Sequence, residues 1–426
     1  MFLLRRPSTL SFLFAATFAL TALTGCDTTP TPTSGAVVVP QPKADFNTGY
    51  PIEPGHARTL DYDVRWVRDL ALAPRQEVTH LIETSDLIIS IESPNNMITA
   101  IELATGKPLW KSVVGSRLEV LVGMTSDEKS IYINSTSRIF TLSRHSGEIK
   151  RIVDLEYPVS GSPLRVDRLA VFGSETGVLF AYHLDSGYTR WAYGLKDPIR
   201  ASPAVAGLHL FAIDSGGHYA MLNITSGQLL WRGQLYGDIS TNPLLHDGFL
   251  ILACEDQSMY SLTTDNGKDR WPVFRSEAVL TETPLAAGNH IFVNEPDHGF
   301  SAVAADTGER QWFFGGDVRP CFADTQRVLA EGQDVLVALD SATGNVLTSV
   351  PTQPLQSIRA NSDGHLLLLT PQGEIMRLAP STAIAPVIIE PTKAATESDA
   401  DADAQATPDA NADPDTDMDA DAAPAQ

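Results

Sequence analysis

From Asp61 to Pro380 the apolar positions fall in short, strand-like groups. Tyr62, Val64 and Trp66 alternate with Asp63 and Arg65, the period of two that sends successive side chains to opposite faces of a strand. Leu210 to Ile213 and Phe249 to Ala253 are apolar without interruption, which fits strands covered on both faces. Leu366 to Leu369 and Ile375 to Leu378 flank Pro371-Gln372-Gly373 and predict a hairpin.

One turn recurs among these groups. It is read most fully as Asp185-Ser186-Gly187 leading to Trp191. Equivalent glycines stand at 106, 147, 187, 227, 267, 308 and 344, in steps of 41, 40, 40, 40, 41 and 36. A period near 40 with strands between the marks is the signature of a propeller. Glycine supplies the positive φ of the turn, and Asp, Ser or Thr before it can bond the turn's own backbone. Four residues after five of the glycines comes a tryptophan: Trp110, Trp191, Trp231, Trp271 and Trp312. Arg151 and Thr348 hold that place in the second and seventh copies. A ring at this point can cover its face between neighbouring sheets while its N–H finds a backbone carbonyl, so these residues read as joints between repeats.

Trp66 alone follows no glycine turn, and the last unit alone lacks an outer strand. Lending the N-terminal strand to the last unit removes two open sheet edges at once. The expectation is an all-β, eight-bladed β-propeller of four-stranded antiparallel blades, closed by an N-terminal strand that completes the last blade. The 320 residues from Asp61 to Pro380, taken 40 at a time, agree. Ser162-Pro163, Ser202-Pro203, Asn242-Pro243 and Thr283-Pro284 recur at 40, 40 and 41 and mark the entry to each innermost strand.

The flanks change the picture. Arg5 and Arg6 precede an apolar run from Leu10 to Leu23 that is short for a membrane span, so residues 1–25 read as a secretory signal. Residues 26–56, rich in proline, read as an extended tether, with folded structure beginning near Leu60 and the propeller occupying 57–382. Residues 383–426 read as a disordered acidic tail: from Glu390 onward eleven acids stand against Lys393 alone, −10 of the formal −22. That balance argues against nucleic acid as a partner. No serine-hydrolase elbow, zincin pair or P-loop is present, and the ten histidines show no ligand spacing. The expectation is no catalytic residue, metal or cofactor. Cys254 and Cys321 fall in the fifth and seventh blades, too far apart for a disulfide, and should be free thiols.

Leu23-Thr24-Gly25-Cys26 resembles a bacterial lipobox, which implies cleavage before Cys26, lipidation of its thiol and anchoring to a membrane surface. Ala100 to Trp110 resembles the tryptophan-docking repeat of the PQQ-type β-propellers. A lipobox followed by eight such blades resembles the BamB family within that superfamily. The resemblance implies a non-catalytic periplasmic scaffold, a monomer within a complex, that binds a β-barrel-assembly subunit through blade-entry loops. Ile199 and Arg200, with Asp238 and Ser240, stand where that family carries its partner-binding residues, on loops one blade apart. The resemblance favours the outer membrane. Asp27, directly after Cys26, resembles an inner-membrane retention signal and leaves that address open, and the acidic tail departs from the family pattern. Two alternatives stand beside this reading. One is a propeller lipoprotein with an unrelated envelope partner. The other is a PQQ-dependent dehydrogenase, whose adjacent-cysteine disulfide this chain lacks.

Overall fold

The computed structural model describes residues 49–381. Cys26, Asp27, the signal segment and the acidic tail lie outside these residues. The described chain forms eight four-stranded antiparallel sheets, arranged as an eight-bladed propeller. Blades one to seven follow in chain order: 77–113, 121–154, 164–194, 204–234, 244–275, 285–315 and 318–351. In each, the first strand is innermost and the fourth outermost.

The eighth blade is built from both ends of the described chain. Ser357–Ala360, Leu366–Leu369 and Glu374–Pro380 supply its inner three strands, and Tyr62–Asp69 pairs with the third as the outermost. The register runs from Tyr62 opposite Pro380 to Asp69 opposite Glu374. The spare strand and the incomplete hairpin read from the sequence therefore meet as expected.

The core lies between blades. Eight buried apolar clusters fill eight joints, one for each consecutive pair, including blades eight and one. The run Leu366 to Leu369 shows why its strand is apolar on both faces. Leu366 and Leu368 pack toward blade seven, while Leu367 and Leu369 pack toward blade one.

Each tryptophan pins its joint. Their indole N–H groups donate to carbonyls in the next blade: Trp66 to Leu103 (2.9 Å), Trp110 to Arg144 (2.9 Å), Trp191 to Ile224 (2.9 Å), Trp231 to Thr264 (3.0 Å), Trp271 to Ala305 (3.2 Å) and Trp312 to Ser341 (3.0 Å). The ring face lies on the glycine turn that follows. A Cβ on Gly227 would stand 2.7 Å from the Trp191 ring, and its φ of +71° already disfavours any other residue. Glycine here serves the turn and the close approach together. At the joint after blade two, Arg151 replaces the indole and donates to the carbonyl of Asp185 at 3.0 Å, against Gly187.

One boundary differs from expectation. Ordered structure starts before Leu60: Pro54–Thr59 is a helix, and Ile52 and Ala57 are fully buried in the cluster between blades seven and eight. The carbonyl of Pro51 accepts from the N–H of Gln353 at 2.9 Å. Proline content suggested a tether, yet Pro54 opens the helix, where a missing N–H costs nothing. Ile52 supplies the buried anchor.

Replacing Trp191 by Ala removes a buried ring and its hydrogen bond and should cost about 3–5 kcal/mol in urea unfolding. Gly227→Ala should also destabilise, because the new methyl group displaces the same ring; unchanged stability in both variants would contradict the joint described here.

Candidate docking face

Because strands alternate in direction, two kinds of loop emerge at one end of every blade. One joins the outermost strand to the next blade's innermost strand. The other joins a blade's second and third strands. The Xaa-Pro marks sit on the first kind, directly before the innermost strands, as the sequence suggested. They also tie blade to blade. The Asn242 side-chain oxygen accepts from Ser202 N–H (2.7 Å), and the Thr283 hydroxyl oxygen accepts from Asn242 N–H (3.0 Å).

The two loops singled out from the sequence are 195–203, between blades three and four, and 235–243, between blades four and five. Arg200 is exposed and makes a two-pronged ion pair with Glu175, 3.0 and 3.3 Å. Asp238 and Ser240 are exposed on the neighbouring loop, and the Asp238 carbonyl accepts from Glu255 N–H at 2.9 Å. Ile199 is different. Its side chain is 1% exposed and packs on Gly173, where a Cβ would meet Ile199 Cγ2 at 2.6 Å. Ile199 thus holds its loop down, which leaves Arg200, Asp238 and Ser240 as the exposed members of the four.

A buried ring of side chains beneath the loops escaped the sequence reading. Near the end of each second strand one residue is buried in every blade: Glu92 and Glu331 are penultimate in theirs, Ser135 and Glu295 end theirs, and Ser174, Asp214, Cys254 and Thr370 directly follow theirs. Ser174, Asp214, Cys254 and Glu295 follow the steps of 40, 40 and 41 shared with the Xaa-Pro marks, a signal that could have revealed them. Asp214 shows what the position does. One carboxylate oxygen accepts from the N–H groups of Lys196 (3.1 Å) and Asp197 (3.0 Å), in the loop that carries Arg200. The other accepts from Gly216 N–H (3.1 Å) and His218 N–H (2.8 Å). Glu295 does the same for the loop entering blade six, accepting from Ser276, Glu277 N–H and Arg310. These two carboxylates peg the loops entering blades four and six, while the loop that carries Asp238 is tied by backbone bonds, with Ile239 N–H donating to the carbonyl of Ser215 at 3.1 Å.

Asp197, Asp214 and His218 lie close enough to share a cation among the described residues. The oxygens of Asp214 are already occupied by those backbone donors, which is the role the geometry supports. Cys254, fully buried, and Cys321, half-buried, are both free. Burial pushes the Cys254 thiol up.

The same face is uneven in charge and polarity. Asp238, Glu255, Glu277, Asp297, Asp317 and Asp334 stand exposed on its successive loops from blade four to blade seven. Tyr236, 99% exposed, adjoins Asp238, and Val279 is exposed on the next entry loop.

With this geometry in hand, similarity to known proteins becomes informative. The family model described as outer membrane protein assembly factor BamB matches residues 175–312, which contain both loops. A relative named BamB from Moranella endobia (strain PCIT) is 24% identical over 200 residues, covering 43% of this chain and 50% of the relative. One of the same name from Yersinia pestis is 21% identical over 243 residues, covering 51% and 61%. The crystal structure of BamB from Moraxella catarrhalis superposes with a TM-score of 0.59 at 16% identity, over 74% of this chain and 98% of that one.

The chain is a BamB-like PQQ-repeat propeller.

A computationally designed protein, Ika8, superposes equally well, with a TM-score of 0.59 at 12% identity over 72% of this chain and 96% of its own, so shape alone shows the fold. The match to this BamB-like chain spans between half and about three fifths of the length of the first two curated relatives.

Asp214→Asn exchanges a four-bonded carboxylate for an amide with one acceptor and should lower stability by about 1–3 kcal/mol in thermal melts. Cys254 should resist iodoacetamide at pH 8 in the folded protein and react once urea unfolds it, because burial depletes its thiolate. Native labelling of Cys254, read by mass spectrometry, would contradict that burial.

Proposed function

We propose that this chain is a non-catalytic scaffold of the bacterial envelope, working without a cofactor, lipid-anchored through Cys26 and monomeric within a complex. It docks a β-barrel-assembly subunit through the loops between blades three, four and five. The observation that carries this reading is the pair of exposed, oppositely charged side chains, Arg200 and Asp238, on adjacent loops pegged from below. Ser240 extends the polar edge. Tyr236 offers the aromatic anchor that interfaces favour, because one large ring contributes area at little cost in rotamer entropy. The acidic arc beyond Asp238 fits a partner surface that is basic and has an apolar recess. The curated relatives, each named an outer membrane protein assembly factor, support both partner and membrane, although Asp27 keeps the inner membrane open.

Reversing both charges, Arg200→Glu with Asp238→Lys, should abolish co-purification with a barrel-assembly subunit. The melting temperature should move by no more than about 2 °C, since both side chains are on the surface. Tyr236→Ala should weaken capture about tenfold. Undiminished co-purification in the double variant would remove the site. A spectral change on adding PQQ and Ca²⁺ would instead favour the dehydrogenase.

A further inference from the structure

We propose that the joint between blades seven and eight is a binding site for a planar aromatic group of about the size of an indole. Seven of the eight joints have a wedge: six tryptophans and Arg151, each reaching a carbonyl of the following blade. Among the described residues the eighth has none. Thr348 pairs with Ala338 beside a register shift, as Trp110 pairs with Ala100 and Trp312 with Ala302, so it occupies the wedge position by register. Opposite it, the glycine turn that would receive a ring is also missing, because the fourth strand of blade eight arrives from the N-terminal side. The two ends of the propeller segment meet there instead, with Ser381 N–H donating to the carbonyl of Asp61 at 2.8 Å.

These two substitutions leave a cavity of about 760 Å³, walled by Thr348, Leu347, Phe322, Tyr62, Arg327 and Pro380. Its chemistry suits a ring. Leu347, Phe322 and Pro380 offer apolar contact. Arg327 lies 5.1 Å from the Tyr62 ring centroid and donates to the carbonyl of Leu60 at 2.6 Å, which fixes its guanidinium in the wall. Asp61, Asp324 and Asp363 at the rim can accept a ring N–H. Because the cavity spans the seam where the ring of blades closes, an occupant that binds only the closed form stabilises the closure itself. The inference stands apart from the docking loops, which lie at the opposite end of the blades.

The test is titration of the full chain with indole, followed by two-dimensional NMR of the isotope-labelled protein. Saturable shifts confined to the surroundings of Thr348, Tyr62 and Ser381 are expected, with a Kd in roughly the millimolar range for so small a ligand. Thr348→Trp supplies the missing ring from the chain itself and should raise the melting temperature and abolish saturation. Thr348→Leu, a smaller filler that keeps the fold if the tryptophan does not, should weaken binding about tenfold. Tighter binding of N-acetyl-tryptophanamide than of indole would support a partner's tryptophan as the natural occupant, and the reverse order would support a free aromatic molecule. No saturation, saturation elsewhere on the protein, or equal binding by the wild type and both variants overturns the proposal.

Discussion

The indole donated from one blade to a carbonyl of the next is the interaction on which the rest depends. Each sheet is only four strands deep and apolar on both faces, so none can be buried alone. Stacking in a ring covers every face, but flat sheets could slide or tilt against one another. A ring fixed at its N–H by one hydrogen bond and at its face by a glycine turn sets both spacing and register. The price is a glycine in every receiving turn. The period of forty residues follows from the need to present one ring and one turn per blade.

That rigidity is passed on to the loops. Side chains such as Asp214 and Glu295 would be expensive to bury if unpaired, yet each accepts from backbone N–H groups that would otherwise be orphaned in an entry loop. Polar burial and loop order are thus one arrangement seen from two sides. What the loops present to solvent is a small set of outward side chains, among them Arg200, Asp238, Ser240 and Tyr236, held on a backbone that has little left to lose on binding.

The fold was legible because its signals are local and repeated. Gly187, Trp191 and the Xaa-Pro marks each announce a conformation by residue type, and seven glycine turns, five tryptophans after them and four Xaa-Pro marks make coincidence implausible. The closure was legible through a mismatch, one strand too many at one end and one too few at the other. The site was less so. Ile199 is next to Arg200 in sequence and seemed to share its role, but neighbouring loop residues can face opposite ways and only packing on Gly173 reveals which. Pro51 and Pro54 looked like tether because composition does not show that Ile52 between them is covered. Asp197, Asp214 and His218 converge only through the fold, since Asp197 belongs to one blade's exit and the other two to the next blade's hairpin.

The pairing of Tyr62–Asp69 with Glu374–Pro380 makes closure of the ring a late event in folding. The first strand must find a partner with more than three hundred residues intervening. Until then its hydrogen-bonding edge has no neighbour, whereas the intermediate sheets stack on neighbours close in sequence. Contacts so distant along a chain are slow to form because the intervening loop must first be closed. Exposed edges of this kind invite mispairing. Without that one pairing the propeller would be an open arc of stacked sheets, with an unpaired edge at each end.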